Sequence, residues 1–359
     1  MARGSTGAGE VLHLDIHVDE EKPSLGILEL LETLRPQWKT KDIQMKVFTE
    51  GITNRLTGCY VGSLQEPGCI LVRVYGRNTE LYVDRQREVE MFKVLHAHDC
   101  GPLIFCSFHN GICYEFVRGE VLDDQLLRQP SIYRLIAAEM GRIHSIKPQN
   151  GQPAEALLWS KMSKLLTLVK NNTQECTDNQ SPQNVPGLPS HQVLSDEMET
   201  LKRHLSGTHS PVVLCHNDLL TKNIIYNHKE ETVKFIDYEY ADYNYQAFDI
   251  GNHFNEFAGL SNMDYSRYPS RELQMEWLKA YLESYRLASG RPATTTEGEV
   301  TTLYIQVCKF SLASNFFWGL WAILQSQFSS IDFDFKRYAM DRLHFYFQKK
   351  AAYFKLTEV

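Results

Sequence analysis

The stretch that decides the fold reads HNDLLTKN at residues 216–223, and IDYE follows at residues 236–239. Short runs of β-branched and aromatic residues surround both segments, at 212–215, 223–226 and 233–236. They predict a group of short β-strands. Asp218 and Asn223 then lie on a connection between two strands, and Asp237 ends the next strand. We expect a carboxylate and two more side-chain oxygens to converge on one edge of a hairpin, an arrangement suited to Mg²⁺ and phosphate.

The part of the chain before Gly119 has the pattern of a sheet. One helix is predicted within it, from Asp84 to His98, where apolar residues recur at helical spacing. Ahead of the sheet, one face of a helix that ends at Pro36 is predicted from Leu25, Leu28, Leu31 and Leu34. The predicted antiparallel strands are 43–48, 55–61, 69–75, 103–108 and 111–116.

After Gly119 the pattern is mostly helical, and the chain as a whole predicts an α+β protein of two lobes. The predicted divisions are a flexible N-terminus (1–22), an N-terminal lobe (23–118) and a larger, helix-rich C-terminal lobe (119–359). Within the last, residues 171–191 are rich in Asn, Gln, Ser, Thr and Pro and predict a flexible loop.

Composition narrows the class of protein. A formal net charge of −7 argues against a nucleic-acid partner, which would require many phosphate-binding Lys and Arg residues. The eight cysteines form no C-x-x-C pair, so buried reduced thiols are expected. The most apolar run, Phe316–Leu324, is far shorter than the ~20 residues that span a bilayer and predicts a buried helix. A cytoplasmic protein without a stable membrane anchor is expected.

The two opening segments carry a family resemblance. His216, Asp218 and Asn223 match the catalytic-loop pattern H-x-D-x-x-x-x-N of the protein-kinase-like superfamily. The run 236–256, IDYEYADYNYQAFDIGNHFNE, resembles the signature of the choline/ethanolamine kinase family, and the likeness extends over about residues 43–350. The form NEFAG at 255–259 is similar to the ethanolamine kinase branch. The resemblance implies a two-lobed protein-kinase-like fold that uses ATP and Mg²⁺ to convert ethanolamine to phosphoethanolamine for phosphatidylethanolamine synthesis.

The resemblance also implies roles for residues of the two segments. Asp218 would orient or deprotonate the acceptor hydroxyl, and Asn223 and Asp237 would bind Mg²⁺. Whether Asp218 is a true base stays open. Asp249 is predicted to cap the helix that follows it, and the family implies that Asp249 and His216 brace the catalytic loop.

The implied nucleotide site lies in the N-terminal lobe. Thr53 and Asn54 belong to a phosphate-covering loop, and Arg73 occupies the position of the strand lysine of protein kinases, with Glu88 as its partner. For Glu88 the alternative is a solvated helix charge. Glu115 and Phe116 belong to the implied hinge beside adenine.

The implied amine pocket lies in the C-terminal lobe. Trp318 and Trp321 share one helix face, and taken alone they are more typical of a core than of a binding site. The resemblance also implies that choline kinases carry bulkier aromatics where this chain has Phe257-Ala258-Gly259, so a quaternary ammonium would lose part of its cage here. A primary ammonium can still donate three hydrogen bonds, which favours ethanolamine. The implied lining residues are Tyr240, Glu256, Trp318, Trp321, Phe333 and Tyr338.

Three alternatives stay open at the level of sequence. They are choline kinase, a nucleotide-binding pseudokinase that acts as a scaffold, and an antibiotic or other small-alcohol phosphotransferase of the same fold. The sequence also leaves open whether the chain forms a homodimer.

Overall fold

The computed structural model describes residues 10–48, 54–76, 79–149, 151–175, 187–329 and 331–358. Contacts divide the chain into two units, Met1–Gly119 and Glu120–Val359. The first is built on a sheet and the second mainly from helices, which confirms the predicted α+β class.

In the residues that the structure describes, the first unit contains a six-stranded sheet and two helices. The strand order is β1-β5-β6-β4-β3-β2, and all neighbours are antiparallel except the parallel pair β1 and β5. The five predicted strands and the helix 84–98 are confirmed to within one residue at either end. In chain order the elements are β1 (Leu12–Leu14), α1 (Pro23–Leu34), β2 (Gln44–Phe48), β3 (Arg55–Tyr60), β4 (Ile70–Val74), α2 (Arg85–Ala97), β5 (Ile104–Phe108) and β6 (Gly111–Glu115).

Two features near the N-terminus differ from the sequence prediction. Strand β1 lies inside segment 1–22, which was predicted to be flexible. Helix α1 forms as predicted but buries Ile27, Leu30 and Leu31, whereas Leu25 is 76% exposed. The predicted face was only partly right: Leu31 is buried and Leu34 packs against the core, but Leu25 is exposed. Each three-residue step falls about 60° short of a full turn, so residues repeated at that spacing rotate around the helix.

In its described residues, the second unit contains six long helices, the shorter helix α6 and two small sheets. The sheets have the orders β10-β9-β7 and β11-β8, and both are antiparallel. The elements are β7 (Glu120–Val121), α3 (Pro130–His144), α4 (Leu158–Glu175), α5 (His191–Leu205), β8 (Val212–Cys215), β9 (Ile224–Asn227), β10 (Thr232–Phe235), β11 (Asp242–Tyr245), α6 (Gln246–Glu256), α7 (Arg271–Ala288), α8 (Glu297–Phe328) and α9 (Phe335–Phe354).

Helix α6 is buried along its whole length and packs tightly on α8. Gly251 makes this close approach possible, because a Cβ there would lie 2.8 Å from the backbone nitrogen of Ser311. Helix α8 is long and apolar enough to cross a membrane, but 94% of its most apolar window is buried. It is therefore a core helix, as predicted for Phe316–Leu324.

Both ends of the predicted flexible loop 171–191 are described, and each differs from a loop. Helix α4 continues to Glu175, and Ser190 caps α5 by accepting a hydrogen bond from the Val193 amide. Residues 176–186 lie outside the described part of the chain. Every cysteine that the structure describes is buried, and no disulfide joins any two of them.

Candidate active site

The predicted convergence of Asp218, Asn223 and Asp237 is present in the second unit. Strands β9 and β10 pair Ile224 with Phe235, so Asn223 and Asp237 emerge at the same end of the hairpin. The amide of Ile236 donates to the Asn223 carbonyl at 3.0 Å, and the Asn223 side chain donates to the Asp218 carbonyl at 2.9 Å. Three oxygen-bearing side chains therefore share one edge of the hairpin.

Two residues of this edge have a left-handed backbone. Asn217 has φ 66° and Asp237 has φ 65°, a region that most non-glycine residues avoid and that Asn and Asp tolerate best. The Asn217 side chain donates to the carbonyls of Tyr240 and Asp242 at 2.9 and 3.3 Å and accepts from Asn244 at 2.8 Å. Strained backbone held by surrounding groups is typical of functional sites.

Asp249 anchors the loop that carries Asp218. Its two carboxylate oxygens accept from the amides of His216 and Asn217 at 2.8 and 2.7 Å, and His144 Nε2 lies 2.9 Å away. Burial alone would raise the pKa of Asp249, but the hydrogen bond and charge of His144 and the amide of His216 hold it below its ordinary value. The predicted brace is confirmed. The predicted cap was wrong, because α6 begins earlier, with Tyr245 at its N-cap.

His216 also braces the loop, as expected. Its Nε2 lies 2.9 Å from the Ile236 carbonyl, and its Nδ1 accepts from the Asp218 amide at 3.3 Å. Burial lowers the pKa of His216, so the ring is neutral near pH 7 with its proton on Nε2. The imidazole is thus occupied in joining the loop to the end of β10.

One face of α6 connects the loop to a second group of side chains. Asp249, Asn252, His253 and Glu256 follow the spacing i, i+3, i+4 and i+7, which places them in one stripe. His253 Nδ1 lies 3.0 Å from the Leu219 carbonyl, next to Asp218 in sequence. A single buried helix therefore fixes both ends of the site.

His253 makes the stability of the fold depend on pH. Burial lowers the pKa of His253 to about 4. Between this value and the unfolded value of about 6.5, the unfolded chain binds a proton that the folded chain excludes, so stability falls as pH falls. In His253→Gln we expect the free energy of unfolding to depend less on pH. Its slope between pH 6.5 and 4 is expected to fall by up to about 1.4 kcal/mol per pH unit. Urea titrations across this range measure it. The matched control is the exposed His228→Gln, and an unchanged slope in His253→Gln would contradict the assignment.

An aromatic cluster lies against the same face of α6. Trp318 Nε1 donates to Asn252 Oδ1 at 2.8 Å, which fixes the indole. Both predicted tryptophans are almost fully buried, as the core alternative required, yet they join the other predicted aromatic residues in one continuous group. The ring centroids are separated by 5.1 Å (Tyr240–Trp318), 5.4 Å (Trp318–Trp321), 5.7 Å (Trp321–Phe335), 4.9 Å (Phe335–Phe333) and 5.8 Å (Phe333–Tyr338). Phe335, which contacts both Trp321 and Phe333, was not predicted from the sequence.

Glu256 is not a free charge, because Arg342 of α9 is paired with it. Arg342 donates to Glu256 Oε1, and the same guanidinium donates to the Tyr338 hydroxyl at 2.6 Å. Sequence reasoning missed Arg342, since it stands in a helix segment with exposed charged neighbours and only the tertiary fold shows its burial.

The electrostatic environment of Asp218 shows how close the acidic groups are. Burial raises the pKa of Asp218 well above its ordinary value, and the negative charges of Glu256, Asp237 and Glu239 raise it further, while Arg342 opposes them. A site with this excess of negative charge favours cations.

In the first unit, the predicted pair of Arg73 and Glu88 is confirmed. Glu88 is 1% exposed, forms an ion pair with Arg73 and accepts a hydrogen bond from Arg85 at 3.0 Å, so the solvated-charge alternative is excluded. The Asn54 side-chain oxygen accepts from the Gly76 amide and from Arg85 at 3.3 and 3.5 Å. Arg85 thus joins the predicted nucleotide residues and was not found from the sequence.

The remaining predicted nucleotide residues are partly described. The Glu115 amide donates to the Leu103 carbonyl at 2.8 Å, and its carboxylate accepts from the Leu103 amide at 3.3 Å. Phe116 stacks on Phe48 with centroids 6.3 Å apart. Thr53 and the rest of its loop, residues 50–53, lie outside the described residues.

The segment Phe257-Ala258-Gly259 has a packing role. Phe257 and Ala258 are buried, and the Phe257 ring packs 6.3 Å from Phe254 with the Arg128 guanidinium 5.1 Å from its centroid. Gly259 has φ 84°, which suits glycine where the chain leaves α6. These contacts give no direct support to the sequence argument that used this segment to separate ethanolamine from choline.

Comparison with known proteins agrees with this geometry. Residues 45–347 match the family model described as choline/ethanolamine kinase. Ethanolamine kinase 1 of Mus musculus is 51% identical, with 96% of this chain and 95% of the relative covered, and ethanolamine kinase 2 of Homo sapiens is 49% identical, with 97% and 86% covered. The solved structure of a Plasmodium vivax ethanolamine kinase is 28% identical with a TM-score of 0.79, covering 91% of this chain and 89% of that one. The chain belongs to the choline/ethanolamine kinase family and is therefore a kinase that uses ATP and a small-molecule acceptor.

Proposed function

We propose that this protein transfers the γ-phosphoryl group of ATP to the hydroxyl of ethanolamine and releases phosphoethanolamine. The observation that carries the proposal is the joining, by one face of α6, of the Asp218 loop to an acidic and aromatic group around Glu256. The first part suits a hydroxyl and a phosphate, and the second suits an ammonium. Relatives named ethanolamine kinase at about half identity support this acceptor.

Asp218 is the proposed group that orients the acceptor hydroxyl and accepts its proton as the new O–P bond forms. Asn223 and Asp237 are the proposed Mg²⁺ ligands. The donor set fits this ion, because amide and carboxylate oxygens are the hard ligands that Mg²⁺ takes, and the hairpin presents both at one edge. When bound, Mg²⁺ would neutralise charge on the phosphates of ATP.

The proposed amine pocket combines Glu256 with the aromatic residues Tyr240, Trp318, Trp321, Phe333 and Tyr338. Aromatic faces attract any ammonium, whereas a carboxylate oxygen forms a hydrogen bond only with one that carries N–H groups. Glu256 Oε2 is buried and has no hydrogen-bond partner among the described residues. A primary ammonium satisfies this oxygen and a quaternary one does not, so Glu256 supplies a reason to prefer ethanolamine that is independent of Phe257.

The nucleotide residues are proposed to be Thr53, Asn54, Arg73, Glu88, Glu115 and Phe116. The buried ion pair holds the Arg73 guanidinium in one orientation, and a fixed arginine is well suited to phosphate oxygens. We therefore propose that residues 23–118 bind the nucleotide. Residues 119–359 are proposed to bind the amine and to carry out catalysis. A cytoplasmic enzyme without a stable membrane anchor completes the proposal, with homodimer formation left to experiment.

The second candidate acceptor is choline, which the aromatic cluster alone would suit. A pseudokinase scaffold is disfavoured because Asp218, Asn223 and Asp237 are all present and close together. The chain is expected to release ADP only when MgATP and an amino alcohol are both supplied. Mass spectrometry of the product from separate reactions with ethanolamine, choline and a neutral diol identifies the acceptor. ADP release that is independent of every alcohol, or that the diol supports equally, would refute the proposal.

A further inference from the structure

Arg342 is a fully buried cation on α9, at 0% exposure. A buried charge is costly unless its partners compensate for lost water, so the identity of those partners is informative. Its terminal nitrogens reach Glu256 Oε1, the Tyr338 hydroxyl at 2.6 Å and Asn315 Oδ1 at 3.4 Å. Two of these three partners belong to the proposed amine pocket.

The surroundings hold Arg342 from a second side. Asn315 Oδ1 also accepts from the Tyr265 hydroxyl at 2.5 Å, and its Nδ2 donates to the Ser311 carbonyl at 2.9 Å. Tyr265 in turn stacks on Phe345 with ring centroids 3.9 Å apart. The guanidinium is therefore fixed by contacts from α8, α9 and the segment before α7, in addition to its contact with Glu256.

Arg342 contacts only one of the two carboxylate oxygens of Glu256. Oε1 is held by Arg342, while Oε2 is buried without a hydrogen-bond partner among the residues described. A buried carboxylate oxygen in this state indicates a donor that arrives from outside the chain. Tyr338, which the same guanidinium holds, lies 5.8 Å by ring centroids from Phe333 of the aromatic cluster.

We propose that Arg342 is a positioning residue for the acceptor amine: it holds Glu256 Oε1 and the Tyr338 hydroxyl, so that Glu256 Oε2 accepts a hydrogen bond from an ammonium N–H. This inference rests on the proposed function. Because Arg342 offsets the charge of Glu256, the pair attracts a bare cation weakly but remains a good hydrogen-bond acceptor. The pair thereby selects for an ammonium that carries N–H groups over a quaternary one.

The test compares the wild type with Arg342→Met, Arg342→Lys, Glu256→Gln and the double variant Glu256→Gln/Arg342→Met. Steady-state kinetics give kcat and KM for ethanolamine, choline and MgATP, and circular dichroism reports folding. Arg342→Met is expected to raise KM for ethanolamine at least about tenfold and to lower the ethanolamine-to-choline ratio of kcat/KM by a similar factor, with KM for MgATP changed less than about twofold. Arg342→Lys, which keeps the charge, is expected to recover most of the loss.

The double variant shows whether Arg342 acts through Glu256. If Arg342 acts through Glu256, adding Arg342→Met to Glu256→Gln changes KM for ethanolamine by less than about twofold, because the carboxylate that Arg342 holds is already absent. An undiminished effect in the Glu256→Gln background, or an equal loss for both amines, would overturn the inference. If Arg342→Met alone does not fold, the double variant and Arg342→Lys decide the matter, since both avoid an unpaired buried carboxylate. Failure of the proposed function is separate, since it appears in the wild type as no turnover of ethanolamine.

Discussion

Replacing Asp218 by Asn is expected to lower kcat by about three orders of magnitude, in line with the loss of a positioned proton acceptor. The amide keeps the size of the side chain but cannot take the hydroxyl proton. Burial and the negative charges of Glu256, Asp237 and Glu239 raise the pKa of Asp218, so the protonation state of this side chain depends on the charges bound in the site. A bound ammonium and a bound Mg²⁺ would offset those charges, so the carboxylate form is favoured when both substrates are present.

Single-turnover phosphoryl transfer from MgATP measures this effect without interference from product release. The matched control is Asp264→Asn, an exposed aspartate of the same unit that caps a short turn. KM for MgATP in Asp218→Asn is expected to stay within about threefold of the wild type, because only the chemical step is affected. Full activity of Asp218→Asn would remove Asp218 from the reaction, and a loss matched by Asp264→Asn would point to general damage.

Replacing Asp249 by Asn is expected to lower kcat about a hundredfold and the free energy of unfolding by about 2–4 kcal/mol. An amide has a single accepting oxygen, so one of the amides of His216 and Asn217 would lose its partner inside the protein. The left-handed Asn217, which that carboxylate stabilises, would then relax. Asp218 would lose its place although it is chemically intact.

Hydrogen exchange separates this effect from simple instability. The amides of His216 and Asn217 are expected to exchange faster in Asp249→Asn at a temperature where the rest of the protein stays protected. A variant with intact loop protection and wild-type kcat would show that the anchor has no part in catalysis.

The fold was largely readable from sequence where elements are regular. Strands β2 to β6 lie in short runs rich in β-branched and aromatic residues, so the local pattern predicted their ends to within a residue. Strand β1 was not predicted, because it has three residues, two of them exposed, and it is defined by its pairing with β5. The predicted face of α1 was right at Leu31 and Leu34 but wrong at Leu25, because residues three apart rotate around a helix by about 60° per step.

The site shows the same division between local and tertiary signals. Asp218, Asn223 and Asp237 were found because a motif fixes their spacing, and the hairpin of β9 and β10 brings them together. Arg342 was not found, since its partner Glu256 is 86 residues away and no local pattern marks a buried arginine among exposed charges. Asp249 was misassigned as a cap for a similar reason: the start of α6 is set by its junction with β11.

The measurement that tests the central claim most directly is a competition between ethanolamine and choline. Equal concentrations of the two amines share limiting MgATP with the wild-type protein, and the ratio of phosphoethanolamine to phosphocholine at early time equals the ratio of their kcat/KM values. A site that combines the Asp218 loop with one accepting oxygen of Glu256 predicts phosphoethanolamine in at least about tenfold excess. Phosphocholine as the main product would contradict it.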